Sequence, residues 1–129
     1  MEQENTEAAE MKIDMTDDLN RISHAVIGAA IEVHRLKGPG LLESVYQKCL
    51  NREFKLRGIV AVKEHRVPLE YKGEVLDEYL VLDFLVEGRV VVELKAVETV
   101  LPIHKAQVLS YVKTVGAPLG LLINFHELY

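Results

Sequence analysis

Two apolar runs on either side of a short turn constrain this chain more than anything else in it: Tyr79-Leu80-Val81-Leu82-Asp83-Phe84-Leu85-Val86 and Val90-Val91-Val92-Glu93-Leu94-Lys95. Both are rich in β-branched and aromatic residues, and Glu87-Gly88 between them is turn chemistry, so they read as adjacent strands of one sheet. These runs nevertheless carry Asp83, Glu93 and Lys95. Burying an unpaired ion among Val, Leu and Phe is costly, so the three charges need partners or a chemical task. An acid on one strand followed by Glu-x-Lys on the next can hold a hard divalent cation beside a lysine. That chemistry suits metal-dependent phosphodiester hydrolysis.

Side chains two apart on a strand share a face, so Glu93 and Lys95 point together and Leu94 points away. Whether Asp83 joins them depends on the turn. A two-residue turn at Glu87-Gly88 sets Asp83 opposite Val92, on the wrong face. A three-residue loop, Val86-Glu87-Gly88, sets it opposite Val91, with Glu93 its diagonal neighbour at about 7–8 Å. In that register Asp83 and Glu93 can share one Mg²⁺, with the Leu94 carbonyl as a further oxygen ligand. The same residues also fit a plainer arrangement, an ion pair of Glu93 with Lys95 and an edge charge at Asp83.

The formal net charge of −5 over 129 residues is unevenly spread. Residues 1–18 hold seven of the twenty acids and one of the fifteen bases, leaving fourteen bases against thirteen acids elsewhere. A near-neutral body binds phosphates through local basic groups and not through a general positive field. No apolar run approaches the roughly 20 residues of a membrane helix, and the acidic N-terminus is unlike a secretory signal. The lone Cys49 excludes an internal disulfide and suits the cytoplasm.

The order of elements follows from hydrophobic period. Residues 1–16 read as an acidic, disordered tail, and 17–129 as a single domain. Thr16 or Asp17 caps a helix with Leu19, Ile22, Val26, Ala29, Ala30 and Val33 on one face, ended by Lys37-Gly38-Pro39-Gly40. A second helix runs from Leu41 to Arg57 with Leu42, Val45, Tyr46, Cys49, Leu50 and Phe54 inward. Strand period then begins: Val60–Val62 and Val67–Tyr71, with Pro68 at a sheet edge or bulge, then Glu74–Val86 and Arg89–Ala96. His104–Val115 returns to helical spacing, and Leu119–Phe125 reads as a buried strand. The fold class is α/β with an α+β mixed sheet, helices packed on its faces.

Two further patterns bear on chemistry. Gln107-x-x-x-Tyr111 puts an amide and a phenol on one helix face, able to hold a water or a phosphate oxygen. His104, one turn earlier, can reach a phosphate. Gly40-x-x-Glu43-x-x-Tyr46 opens the second helix, where Glu43 also suits the helix dipole. The five histidines lack zinc spacing, and Lys37-Gly38-Pro39-Gly40 lacks that of a phosphate-cradling loop.

Together these residues carry a resemblance. Gly40-x-x-Glu43-x-x-Tyr46 looks like the signature of the GxxExxY proteins. Asp83…Glu93-x-Lys95 followed by Gln107-x-x-x-Tyr111 resembles the PD-(D/E)XK nuclease superfamily in its RecB-like branch, over about Asn20 to Phe125. Leu82 stands where that motif often has proline. The resemblance implies a restriction-endonuclease-like αβββαβ core with an extra N-terminal helix, and a Mg²⁺- or Mn²⁺-dependent nuclease acting on nucleic acid, DNA foremost. It implies metal held by Asp83 and Glu93, to which the strand reading adds the Leu94 carbonyl, and catalysis by Asp83, Glu93, Lys95, Glu43, Gln107 and Tyr111. Tyr46, His104 and Lys105 are expected at the substrate. A homodimer or a protein partner is expected to supply specificity, and a silent nuclease-fold module that binds nucleic acid or protein is the alternative.

Overall fold

The computed structural model describes residues 6–126, with side chains described from Asp17 onward. The order is α1 (Thr6–Lys37), α2 (Glu43–Leu56), β1 (Ala61–Tyr71), β2 (Glu74–Val86), β3 (Val90–Lys95), α3 (Pro102–Val115) and β4 (Leu119–Asn124). This is the expected helix followed by an αβββαβ core. The helix α1 starts earlier than expected, so Thr16 and Asp17 lie within it. Ala8, Ala9, Met11 and Met15 favour helix, and no proline or glycine interrupts the segment before Gly28. Of the tail expected over 1–16, residues 6–16 are therefore helical, and 1–5 lie outside the described residues. Gly38, at φ 68°, ends α1 by donating its N–H to the His34 carbonyl at 2.8 Å.

The sheet has the order β1-β2-β3-β4, antiparallel at its first two junctions and parallel between β3 and β4. The parallel step needs a crossover, and α3 supplies it. Pro68 lies on the edge strand β1 at a register shift between Pro68 and Glu70, where its missing N–H is least harmful.

Two apolar layers cover the sheet. On one face Ile22, Val26, Ala29, Ala30 and Val33 of α1 and Tyr46, Leu50 and Phe54 of α2 meet Phe84, Val86, Val90, Val92 and Leu94. On the other, Val67, Leu82 and Val91 pack with Tyr111, Val112 and Val115 of α3. The face of α2 differs from expectation. Leu42 is 74% exposed and Val45 is exposed, whereas Gln47 is buried with Tyr46, Leu50 and Phe54. The helix is rotated so that a polar residue, not two aliphatic ones, faces the sheet.

Candidate active site

Strands β2 and β3 pair only over Phe84–Val86 and Val90–Val92. One residue further along that register Asp83 faces Glu93, and there side chains replace the backbone ladder. The Asp83 N–H donates to Glu93 Oε2 at 2.6 Å, and the Leu94 N–H donates to Asp83 Oδ2 at 2.8 Å. Beyond this point β2 stays paired with β1, and β3 with β4, through Lys95. The two carboxylates thus sit in the fork where the sheet divides.

Neither register considered from sequence is the observed one. Val86 pairs with Val90, leaving a loop of Glu87, Gly88 and Arg89. Glu87 and Gly88 have φ of 54° and 67°, and the Arg89 N–H closes the turn on the Val86 carbonyl at 3.0 Å. Partners far along the chain hold this loop. The Glu87 N–H and Oε2 bond the Val60 carbonyl and N–H at 2.8 and 3.0 Å, and Arg89 pairs with Asp18 on α1. Asp83 therefore lies directly opposite Glu93, closer than the expected diagonal.

Strand β2 also turns over at this residue. Leu80 and Leu82 pack beneath α3, whereas Phe84 and Val86 pack beneath α1 and α2. Strict alternation would keep all four on one face. Across from Asp83 on β1, between the pairs Lys63–Phe84 and His65–Leu82, Glu64 adopts φ 53°. Such a conformation is uncommon outside glycine, asparagine and aspartate.

Four acids and one base set the local charge. Burial raises the Asp83 carboxyl above its ordinary range, eased by the Leu94 N–H, and Glu43 and Glu64 add to the rise while Lys95 opposes it. Glu93, 8% exposed, is pushed up to about 7, chiefly by burial and further by Asp83 and Glu43, against the Asp83 N–H and Lys95. Two facing carboxylates with a surplus of negative charge are a site that a cation relieves.

The structure brings most of the expected residues together. Glu43, in the first turn of α2, reaches across to accept the Ala96 N–H at 3.2 Å, just past Lys95. Tyr111 packs under the sheet, and its phenol is pushed above its usual value by burial and by the charges of Glu93 and Asp83. Gln107, one turn earlier, is exposed. Leu94 has its side chain in the core and its N–H on Asp83.

Three residues expected at the substrate make other contacts in the structure. Tyr46 is 0% exposed; it stacks on Phe125 at 4.5 Å, donates its hydroxyl to the Gly38 carbonyl at 2.5 Å and accepts the Leu41 N–H at 3.2 Å. A ring enclosed on all sides cannot touch a substrate, and its work is to close the loop that presents Glu43. His104 Nδ1 accepts the Leu101 N–H at 3.0 Å, which caps α3. Lys105 lines an apolar groove with Val108, Leu109, Gly120 and Leu122 on the β4 side of α3.

Two residues were not foreseen. Gln47 donates to both the carbonyl and Oδ1 of Asp83 at 3.4 Å, and Glu64 adds the fourth acid. The sequence signal for Gln47 was its position four residues after Glu43, on one helix face. Among the described residues no group of three or more His, Cys, Asp or Glu side chains converges as a metal cluster. Two facing carboxylates nonetheless suit Mg²⁺, which is bound by one or two carboxylates and keeps several waters.

A sequence model of the PD-(D/E)XK nuclease superfamily matches residues 20–129. No curated protein and no solved structure matches the chain.

Proposed function

The chain belongs to the PD-(D/E)XK nuclease superfamily, and on that premise we propose that it is a divalent-metal-dependent nuclease, with DNA as its substrate. The observation that carries this reading is the placing of Asp83 opposite Glu93 at the fork of β2 and β3, Glu93 held by the Asp83 N–H and Asp83 by the Leu94 N–H, with Lys95 beside them. Nucleases of this superfamily generally use divalent cations. Asp83, Glu93 and the Leu94 carbonyl would hold Mg²⁺ or Mn²⁺ here. When bound, the ion supplies positive charge to the scissile phosphate and acidifies a water nucleophile.

The remaining work falls to the chain itself. Lys95, on the same face as Glu93, offers its ammonium to orient the attacking water and to balance charge growing on the phosphate. Glu43, fixed by the Ala96 N–H, borders the site from α2. A phenol whose pKa is raised stays protonated at neutral pH, so Tyr111 is a hydrogen-bond donor to a phosphate oxygen, and Gln107 orients from the turn before. A cytoplasmic location and a homodimer or protein partner that supplies specificity complete the proposal.

The test is cleavage of end-labelled single-stranded and duplex DNA and RNA with Mg²⁺, Mn²⁺ or EDTA, using the parent, Asp83→Ala and Glu93→Ala. The reading requires metal-dependent products from the parent and none from either variant. If folded parent protein leaves every substrate intact, the silent binding module replaces the enzyme.

A further inference from the structure

We infer that Gln47 is a positioning residue that holds Asp83 in the orientation a bound cation needs. The inference rests on the metal-nuclease reading above and extends it to a residue outside the motif. Gln47 lies one turn after Glu43 on the inner side of α2, 9% exposed, among Tyr46, Leu50 and Phe54. An apolar residue would serve packing better there. Its Nε2 is instead shared between the Asp83 carbonyl and Asp83 Oδ1, at 3.4 Å each, while the Leu94 N–H holds Oδ2 at 2.8 Å. The carboxylate is thus held at both oxygens, from α2 on one side and β3 on the other.

The choice of an amide has a physical reason. Glu43 and Glu64 act on Asp83 as like charges, and Glu93 faces it. Without a second hold the carboxylate would rotate away from them. A lysine could restrain it, but its own positive charge would compete with the cation. A neutral donor fixes the side chain and leaves its negative charge for the metal, as outer hydrogen-bond partners of metal ligands commonly do.

The experiment compares the parent with Gln47→Met, which is similar in length but cannot donate, and Gln47→Asn, whose amide is one methylene too short. Mn²⁺ affinity is measured by titration calorimetry, and melting temperature without metal by scanning calorimetry. The expected result is Mn²⁺ binding about tenfold weaker in both variants, with the metal-free Gln47→Met melting at or above the parent. A purely structural Gln47 would give the reverse, a lowered melting temperature with unchanged Mn²⁺ affinity, and that overturns the inference. So does failure of both variants to fold. If the parent itself binds no Mn²⁺, the metal reading falls and takes this inference with it. If the parent binds and the variants bind equally well, only the role of Gln47 is lost.

Discussion

A carboxylate with a pKa near 7 changes how stability depends on pH. Glu93 is pushed up to about 7 from an ordinary 4.5, so the folded chain binds this proton more tightly than the unfolded chain does. Its contribution is complete below the unfolded value and is lost as pH rises through the folded one. The gap sets a ceiling of about 3 kcal/mol. Metal-free protein should therefore melt lower at pH 8 than at pH 6, and Glu93→Gln should remove most of that difference while raising the melting temperature at pH 8. A parent whose melting is the same at both pH values would refute the raised pKa. A cation needs Glu93 ionised, so its affinity should move the other way and strengthen from pH 6 to pH 8. Calorimetric titration at the two values reads this directly.

At the scale of the element, α2 and α3 set the walls of the site, and single atoms hold each in place. The Tyr46 hydroxyl closes the loop between Gly38 and Leu41 ahead of Glu43. Tyr46→Phe keeps the stack on Phe125 but removes the hydroxyl's bonds to the part-buried Gly38 carbonyl and Leu41 N–H, which should cost about 1 kcal/mol. The accompanying fall in cleavage should exceed that of a variant at an exposed α2 position such as Lys48→Ala. Gly120 allows α3 to approach β4. A Cβ there would lie 2.5 Å from Val112 and 2.7 Å from Val108, so Gly120→Ala should destabilise by about 1–3 kcal/mol. Because α3 carries Tyr111, cleavage should fall as well. Denaturant melts of both variants give the energies, and an unaltered Gly120→Ala would mean that α3 packs less closely than described.

For the molecule as a whole, a cation bound among the acids of the fork would couple metal binding to folding. A cation that binds only the native state adds stability as RT ln(1 + [L]/Kd), about 2.7 kcal/mol at a hundredfold excess over Kd. Mn²⁺ should raise the melting temperature of the parent and leave that of Asp83→Ala unmoved, while Asp83→Ala without metal should melt near the parent or above it, relieved of a like charge. A scanning fluorimetry series over Mn²⁺ concentration decides this. An Asp83→Ala variant that melts far below the parent, beside a parent that does not respond to Mn²⁺, would make the acids structural.

Hydrophobic period located each element of this protein, because burial enforces a repeat of 3.6 on helices and of 2 on strands, but it missed the first turns of α1, where residues 6–16 carry few large apolar groups to read. Asp83, Glu93 and Lys95 were legible for a related reason: charge within an apolar strand has few explanations other than a partner or a task. Glu43 and Tyr111 came from motif spacing, and both border the fork. What the sequence left open was decided by contacts between distant residues. The loop register depends on Glu87 with Val60 and on Arg89 with Asp18, partners that no local pattern joins. Register decides which face each side chain takes, so these contacts put Asp83 directly opposite Glu93. The rotation of α2 likewise depends on packing against the sheet, and it buried Gln47 while turning Leu42 and Val45 outward. Glu64 joined the site only because β1 brings it across from Asp83. Local periodicity fixes what each segment becomes; the pairing of segments, which requires the whole chain, fixes what meets.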